Sequence, residues 1–157
     1  GRMADQLGAV SATFAKKVRT HVALPGGVEG PVLYWMSREI RAHDNYALLY
    51  AAKRAHAARQ ALFVCYNLEV GYLGGGLRQH VFKTECLRSA CKNLQDLGIQ
   101  FFVYVVRSGE GGSWVETFAK DVVEANGVSL VVTDFTPLNL NKKWLGGVTK
   151  GPLRGGG

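Results

Sequence analysis

Short apolar segments alternate with longer amphipathic segments along the middle of the chain. Four of the apolar segments are rich in β-branched and aromatic residues, which is typical of buried strands. They are Val32–Met36, Ala61–Tyr66, Ile99–Val106 and Ser129–Thr133. Because these strands are apolar throughout and helical patterns separate them, the sequence predicts a parallel sheet with helices on both faces.

The segments between the strands carry apolar residues at helical spacing and charged residues on the opposite side. The first helix is predicted to begin after Asp44 or Asn45, either of which can cap it, and to end near Ala58. The second is predicted over about Leu77–Leu97, just before Gly98, since glycine is favoured in the left-handed conformation that ends many helices.

The third predicted helix begins at a capping box formed by Ser113 and Glu116 and ends near Ala125, before Asn126 and Gly127.

In the second helix, one stripe of residues at helical spacing is predicted to face the sheet. Its members are Leu77, Val81, Thr84, Leu87, Cys91 and Leu94.

Right-handed crossovers join such elements into a doubly wound, Rossmann-like α/β fold. Ligands of this fold bind outside the carboxyl ends of the strands. Those ends carry polar residues in this chain, which makes them the candidate binding positions. They are Met36-Ser37-Arg38, Asn67-Leu68-Glu69, Arg107-Ser108-Gly109 and Asp134-Phe135-Thr136.

Composition divides the chain into three parts. We expect a lead-in over residues 1–29 with a short helix at 5–20, one α/β domain over 30–138, and a basic, glycine-rich tail over 139–157. The net charge is +7, and the tail contributes +4 of it through four basic residues and no acid. Such a tail is either a solvated end, which composition favours, or a contact for nucleic acid.

The cysteines are few and scattered, at Cys65, Cys86 and Cys91. An odd, sparse set argues against a disulfide framework and favours a reducing, intracellular compartment, either cytoplasm, nucleus or an organelle. No cluster with zinc-ligand spacing occurs, so no metal is predicted. No apolar run approaches the roughly 20 residues that span a membrane, so no membrane association is predicted.

Motifs for phosphate binding are incomplete. Gly74–Gly76 precedes a helix but lacks the Lys-Ser/Thr of a P-loop. Gly109 and Gly111 follow a strand as in a dinucleotide loop, but Trp114 stands where the third glycine belongs. No nucleophile–base–acid arrangement is visible, and Trp35, Trp114 and the buried Cys65 are interpreted as core residues. The residues alone therefore predict an α/β domain with a possible ligand site at the strand ends.

Several segments, in order, resemble the opening of class II cyclobutane-pyrimidine-dimer photolyases. In that family a YWMSR strand end is followed by a first helix that begins DN-aromatic-ALLYA, then by similar second, third and fourth strands. The matching segments here are Gly30–Arg38, Asp44–Tyr50, Phe63–Leu68, Leu97–Phe102 and Val131–Leu138. Trp144, Val148 and Lys150 are similar to a helix that follows, and the resemblance covers about residues 17–150.

The resemblance implies the function of a light-driven DNA repair protein. In the family, reduced FAD repairs pyrimidine dimers in DNA, and both are bound by a C-terminal helical domain to which no residue of this chain corresponds. The α/β domain of some members binds an antenna chromophore. By resemblance the candidate site is at Met36, Ser37, Arg38, Asn67 and Asp134, although each of these is equally well a capping or loop residue.

We therefore expect a non-catalytic, antenna-type domain whose DNA and FAD partners belong to the helical part. The alternative is a stand-alone domain that binds a nucleotide or another small molecule. The fifth strand of the family sheet is not recognisable after Lys150. An unpaired edge beside the fourth strand is therefore expected, and such edges favour aggregation. The oligomeric state is left open.

Overall fold

In the computed structural model of the chain, residues 21–23, 29–69, 77–106 and 114–134 are described, the first three by their backbone only. They form a five-stranded sheet in the order β1-β5-β2-β3-β4. The strands are β1 His21–Ala23, β2 Val32–Met36, β3 Leu62–Glu69, β4 Gln100–Val106 and β5 Leu130–Thr133. Strands β2 to β5 are mutually parallel, as the apolar pattern predicts, and this confirms the Rossmann-like α/β fold.

Three helical segments connect the parallel strands. They are α1 Tyr46–Ala58, α2 Leu77–Asp96 and α3 Trp114–Phe118, the last continued by a π-helical turn over Ala119–Glu124. The predicted cap is confirmed at Asn45, whose side chain accepts a hydrogen bond from the backbone N–H of Leu48 at 2.9 Å. Gly98 follows α2 with φ of +72°, the left-handed conformation expected at a helix end.

The sheet separates two cores, one on each face. On the first face, α1 and the second half of α2 pack on alternate residues of the strands, including Tyr34, Met36 and Val64. On the second face, α3 and its π-helical continuation pack on the intervening residues. That core contains Leu33, Trp35, Phe63, Cys65, Trp114, Val115, Phe118, Val123 and Val131. The cores confirm Trp35, Trp114 and Cys65 as buried packing residues.

The predicted stripe of α2 is correct only in its second half. Leu87 and Leu94 are buried and Cys91 is half-buried, but Val81 and Thr84 are exposed. The 20 residues of α2 span about 30 Å, whereas the seven of β4 span about 23 Å. The helix is thus longer than the strand that follows it, and helical spacing alone does not show which of its turns overhang the sheet.

The two outer edges of the sheet differ. The expectation of an unpaired edge beside the fourth predicted strand is wrong, because β1 pairs antiparallel with β5, with Val22 opposite Val131. A segment of three residues is too short for its periodicity to predict a strand, so the sequence did not reveal β1 within the lead-in. On the opposite side, β4 is the last strand of the sheet in the described part of the chain.

Some predictions concern residues outside the described ranges. These are the helix over 5–20, both glycine loops, the cap at Ser113, the side chain of Leu77, the segment around Trp144 and the tail over 139–157. Within the described ranges, no helix combines the length and apolar character that a membrane span requires.

Candidate functional site at the carboxyl ends of the strands

The order of the strands reverses between β2 and β5. The chain leaves β2 toward β3 and β4 on one side, and returns to place β5 on the other side of β2. A reversal of this kind opens a crevice at the carboxyl ends of the two strands, where α/β proteins commonly bind ligands. Here those ends lead into residues 37–45, which connect β2 to α1, and into Asp134.

Asp134 occupies this crevice with its own carboxylate. Its Oδ2 accepts hydrogen bonds from the backbone N–H groups of Ser37 at 2.9 Å, Arg38 at 2.7 Å and Glu39 at 3.0 Å. The Ser37 hydroxyl adds a longer contact at 3.4 Å, and the Tyr34 hydroxyl donates to Oδ1. The carboxylate is almost completely buried, and these donors replace the water that it loses.

A second layer of hydrogen bonds fixes the same loop from Asn45. Its Nδ2 lies 2.9 Å from the Tyr34 hydroxyl oxygen, 3.1 Å from the Glu39 carbonyl and 3.0 Å from the Arg41 carbonyl, donating toward all three. Burial of Tyr34, the negative charge of Asp134 and the hydrogen bond to it together raise the pKa of Tyr34 far above its ordinary value. The phenol is therefore a permanent donor to Asp134.

Three successive N–H groups that converge on one oxygen form an anion-binding nest. In nucleotide-binding relatives of this fold, backbone groups of this kind hold a phosphate. Here Asp134 fills the nest from within the chain, so the amides of Ser37, Arg38 and Glu39 have no free capacity for an external anion. This arrangement speaks against the alternative of a phosphate-binding nucleotide domain.

The structure thus brings together three of the five candidate positions. Ser37, Arg38 and Asp134 meet, but Arg38 contributes its backbone and its side chain is exposed. Met36 is fully buried in the core of the first face. Sequence reasoning missed Tyr34, because a tyrosine in an apolar strand resembles any other core aromatic residue.

Asn67, the fifth candidate, lies near the end of β3, opposite Tyr104 of β4. Its side-chain Nδ2 and Oδ1 are both buried, and neither has a hydrogen-bond partner among the described residues. A buried polar group without a partner costs about 1–3 kcal/mol, so such groups are rare in folded proteins. Asn67 consequently has, among the described residues at the strand ends, hydrogen-bonding capacity left for a ligand.

Aromatic residues and an unreactive thiol lie on the same face of the sheet as Asn67. Alternation along β3 places Asn67 on the same face as Cys65, which pairs in register with Trp35 of β2. The Trp35 ring lies 5.0 Å from Phe118 and 6.5 Å, edge to face, from Trp114, measured between ring centres. Burial raises the pKa of the Cys65 thiol to about 12, which keeps it protonated and unreactive.

One acidic side chain at the end of β3 has a shifted pKa. Burial raises the pKa of Glu69 at the end of β3, and Lys83 of α2 offsets part of that increase. In the described ranges, no group of three or more His, Cys, Asp or Glu residues is arranged to hold a metal ion. Among the described residues of this region, the feature best suited to binding is therefore the side-chain amide of Asn67, with its unused hydrogen-bonding capacity.

Comparison with known proteins gives a consistent family. The DNA photolyase family model matches residues 32–151. A deoxyribodipyrimidine photo-lyase of Arabidopsis thaliana is 36% identical over 109 residues, which are 69% of this chain and 21% of that protein. The Oryza sativa protein of that name is 35% identical over 140 residues, 87% of this chain and 26% of its own length.

A more distant organism gives a similar result. A deoxyribodipyrimidine photo-lyase of the marsupial Potorous tridactylus is 32% identical over 117 residues, covering 72% of this chain and 20% of that protein. The chain therefore spans about a fifth to a quarter of the length of these relatives.

Proposed function

The chain belongs to the DNA photolyase family, and from that premise we propose that it is the antenna-type α/β domain of a class II deoxyribodipyrimidine photolyase-like protein. In this proposal the domain binds a light-absorbing chromophore and is not catalytic by itself. DNA and FAD are bound by a separate helical domain, and we assign none of the described residues to FAD. Its compartment is reducing, in keeping with three free cysteines.

The assignment to class II rests on the order of short motifs. The YWMSR strand end becomes β2 and its continuation, and the DNYALLY segment becomes the cap and first turn of α1. The structure gives three of these residues interlocking roles, since Tyr34, Ser37 and Asn45 all belong to the hydrogen-bond network around Asp134. A set of residues with a shared structural task supports common descent more strongly than separate matches do.

The unpartnered amide of Asn67 carries the chromophore proposal. A side-chain amide presents two N–H donors and a carbonyl acceptor side by side. Fused heteroaromatic chromophores such as flavins and pteridines display the complementary pattern of C=O and N–H groups along one ring edge. A ligand of that class would satisfy both polar atoms of Asn67 while its ring lies against an apolar, aromatic environment.

Two fluorescent compounds with different ring systems, riboflavin and biopterin, test the proposal on the chain itself. We expect the fluorescence of at least one to change on titration with the chain, with micromolar affinity. Asn67→Leu should weaken binding roughly tenfold or more, because it removes both hydrogen-bonding atoms. The matched control is Asn126→Leu, an exposed asparagine after α3 that bonds Val122 of its own helix.

Two results would contradict the proposal. One is the absence of any fluorescence change with both compounds at concentrations of about 100 µM, where even weak binding by a preformed site is detectable. The other is equal binding by the chain and by the Asn67→Leu variant, which would separate the chromophore from this residue. Membership of the family does not depend on either result.

A further inference from the structure

The dipeptide Asn126–Gly127 connects the π-helical turn after α3 to β5. An asparagine before a glycine is prone to deamidation, because glycine has no side chain to hinder attack by its backbone nitrogen on the preceding side-chain amide. Both residues are exposed to water, and the sequence contains this pair once. Three other described asparagines, Asn45, Asn67 and Asn93, each precede a large side chain.

Hydrogen bonds at the exposed end of a helix hold this turn. The Gly127 N–H donates to the Glu124 carbonyl at 2.9 Å, and the Asn126 side chain donates to the Val122 carbonyl at 2.8 Å. While both bonds are formed, the Gly127 nitrogen and the Asn126 amide point at helix carbonyls and not at each other. The reaction between them therefore requires the turn to open, and helix ends open more readily than the core.

The chain is anchored immediately after this turn. Val128 is buried, and the Ser129 N–H donates to the Pro31 carbonyl at 3.0 Å. The Ser129 hydroxyl also donates to the Gly30 carbonyl at 2.6 Å. Opening of the last helical turn can consequently stop at Gly127 and leave β5 paired with β2.

We propose that Asn126 is a site of spontaneous deamidation, and that opening of this turn in the folded chain admits the reaction. The Gly127 nitrogen loses its proton and attacks Cγ of Asn126, which forms a cyclic succinimide and releases ammonia. Water then adds to either carbonyl of the ring and gives an aspartyl or an isoaspartyl residue. The balance is amide plus water to carboxylate plus ammonium, with no redox change.

The isoaspartyl product lengthens the backbone by a carbon atom where the chain is tightly packed. The Gly127 carbonyl oxygen occupies the space that a side chain at Gly30 would need. A longer backbone displaces this contact or the hydrogen bond from Ser129 to Pro31, and either change loosens β5 against β2. Because Asp134 follows β5 directly, the modification also weakens the hydrogen bonds at the crevice.

Ageing of the chain at neutral pH, followed by peptide mapping with mass spectrometry, tests the proposal. We expect conversion of amide to acid at Asn126, and methylation of the product by an isoaspartyl methyltransferase. Asn45, Asn67 and Asn93 are internal controls and should keep their amides. In urea the rate at Asn126 should rise at least tenfold, since the turn is then permanently open. The isoaspartyl fraction should unfold at a lower urea concentration than the unmodified chain.

A variant remote from the turn separates local opening from global unfolding. Leu94→Ala leaves a cavity beneath α2 and lowers the stability of the whole fold. If local opening admits the reaction, the rate at Asn126 in the folded variant should stay within about twofold of the original rate. Circular dichroism shows whether the variant is folded, and Ile99→Val takes its place if it is not, since it leaves a smaller cavity.

Two outcomes overturn the proposal. One is an Asn126 amide that stays intact in the folded chain while the chain in urea deamidates, because the turn then does not open. The other is a rate that rises in proportion to the stability lost in Leu94→Ala, because the reaction then requires global unfolding.

Discussion

Two polar side chains stand at the carboxyl ends of β5 and β3, the strands on either side of β2, and their hydrogen bonding differs completely. Asp134, directly after β5, accepts hydrogen bonds from three successive backbone N–H groups and from the Tyr34 hydroxyl. Asn67, near the end of β3, is half-buried, and its two buried polar atoms have no hydrogen-bond partner among the described residues. Both were candidates for the same site on sequence grounds, since both follow an apolar strand.

The contrast separates stability from binding. A buried carboxylate whose donors come from the chain itself has no role left for a ligand, and it fixes the loop that contributes those donors. A buried amide without partners weakens the fold and is retained where something else completes its bonding. On this view Asp134 shapes the crevice, and Asn67 is the residue within reach of a bound molecule. Mutation should therefore lower the free energy of unfolding at Asp134 and raise it at Asn67.

The largest expected effect is at Asp134. Asp134→Asn keeps the shape of the side chain but removes its charge and replaces one acceptor oxygen with an NH₂ donor. One oxygen then remains to accept from the backbone N–H groups and the Tyr34 hydroxyl, which all donate to the carboxylate. We expect the free energy of unfolding to fall by about 3 kcal/mol, as for other buried charge-assisted networks. Urea denaturation followed by circular dichroism measures it.

The same substitution at Asp121, an exposed residue of the π-helical turn, is the matched control. It should change the free energy of unfolding by no more than about 0.5 kcal/mol. If Asp134→Asn were as harmless as this control, the network would not hold the loop. The interpretation of the crevice as filled from within would then be wrong.

Tyr34 sharpens the comparison, because it is the network member with a strongly displaced pKa. Tyr34→Phe removes the hydroxyl between Asp134 and Asn45, and we expect a loss of about 1–2 kcal/mol at neutral pH. The variant should also lose less stability in alkali. The pKa of Tyr34 is raised in the folded state. The contribution of the Tyr34 hydroxyl to the free energy of unfolding is therefore complete below the unfolded pKa of about 10. It is lost progressively as pH rises above that value.

Urea denaturation at a series of pH values between about 8 and 11 measures this difference. Some alkaline slope should remain in the variant, since burial also raises the pKa values of Cys65 and Tyr66. Tyr46→Phe, at a 60% exposed position at the start of α1, should keep the slope of the original chain. An unchanged slope in Tyr34→Phe would contradict the assignment of this phenol as a permanent donor.

The sequence predicts most of the fold, because the parallel strands are continuous apolar segments rich in β-branched and aromatic residues, and helical patterns separate them. It fails where length is decisive: the three residues of β1 are too few to show a period, and the overhang of α2 depends on the length of β4. At the strand ends it identifies polar residues without distinguishing their roles. Asp134 and Asn67 differ only in which backbone groups lie within reach, and the loop over residues 37–45 decides this after folding.

The smallest expected effect has the opposite sign and depends most directly on the comparison. Asn67→Leu replaces an unbonded amide with an apolar side chain of similar size, so burial no longer costs the two polar atoms their hydration. The free energy of unfolding should rise by about 1 kcal/mol in urea denaturation without added ligand. Asn126→Leu is the control with a bonded amide, which donates to the Val122 carbonyl at 2.8 Å, and should be neutral or destabilising. If both variants lose stability alike, Asn67 has partners in solution, and the difference between the two strand ends disappears.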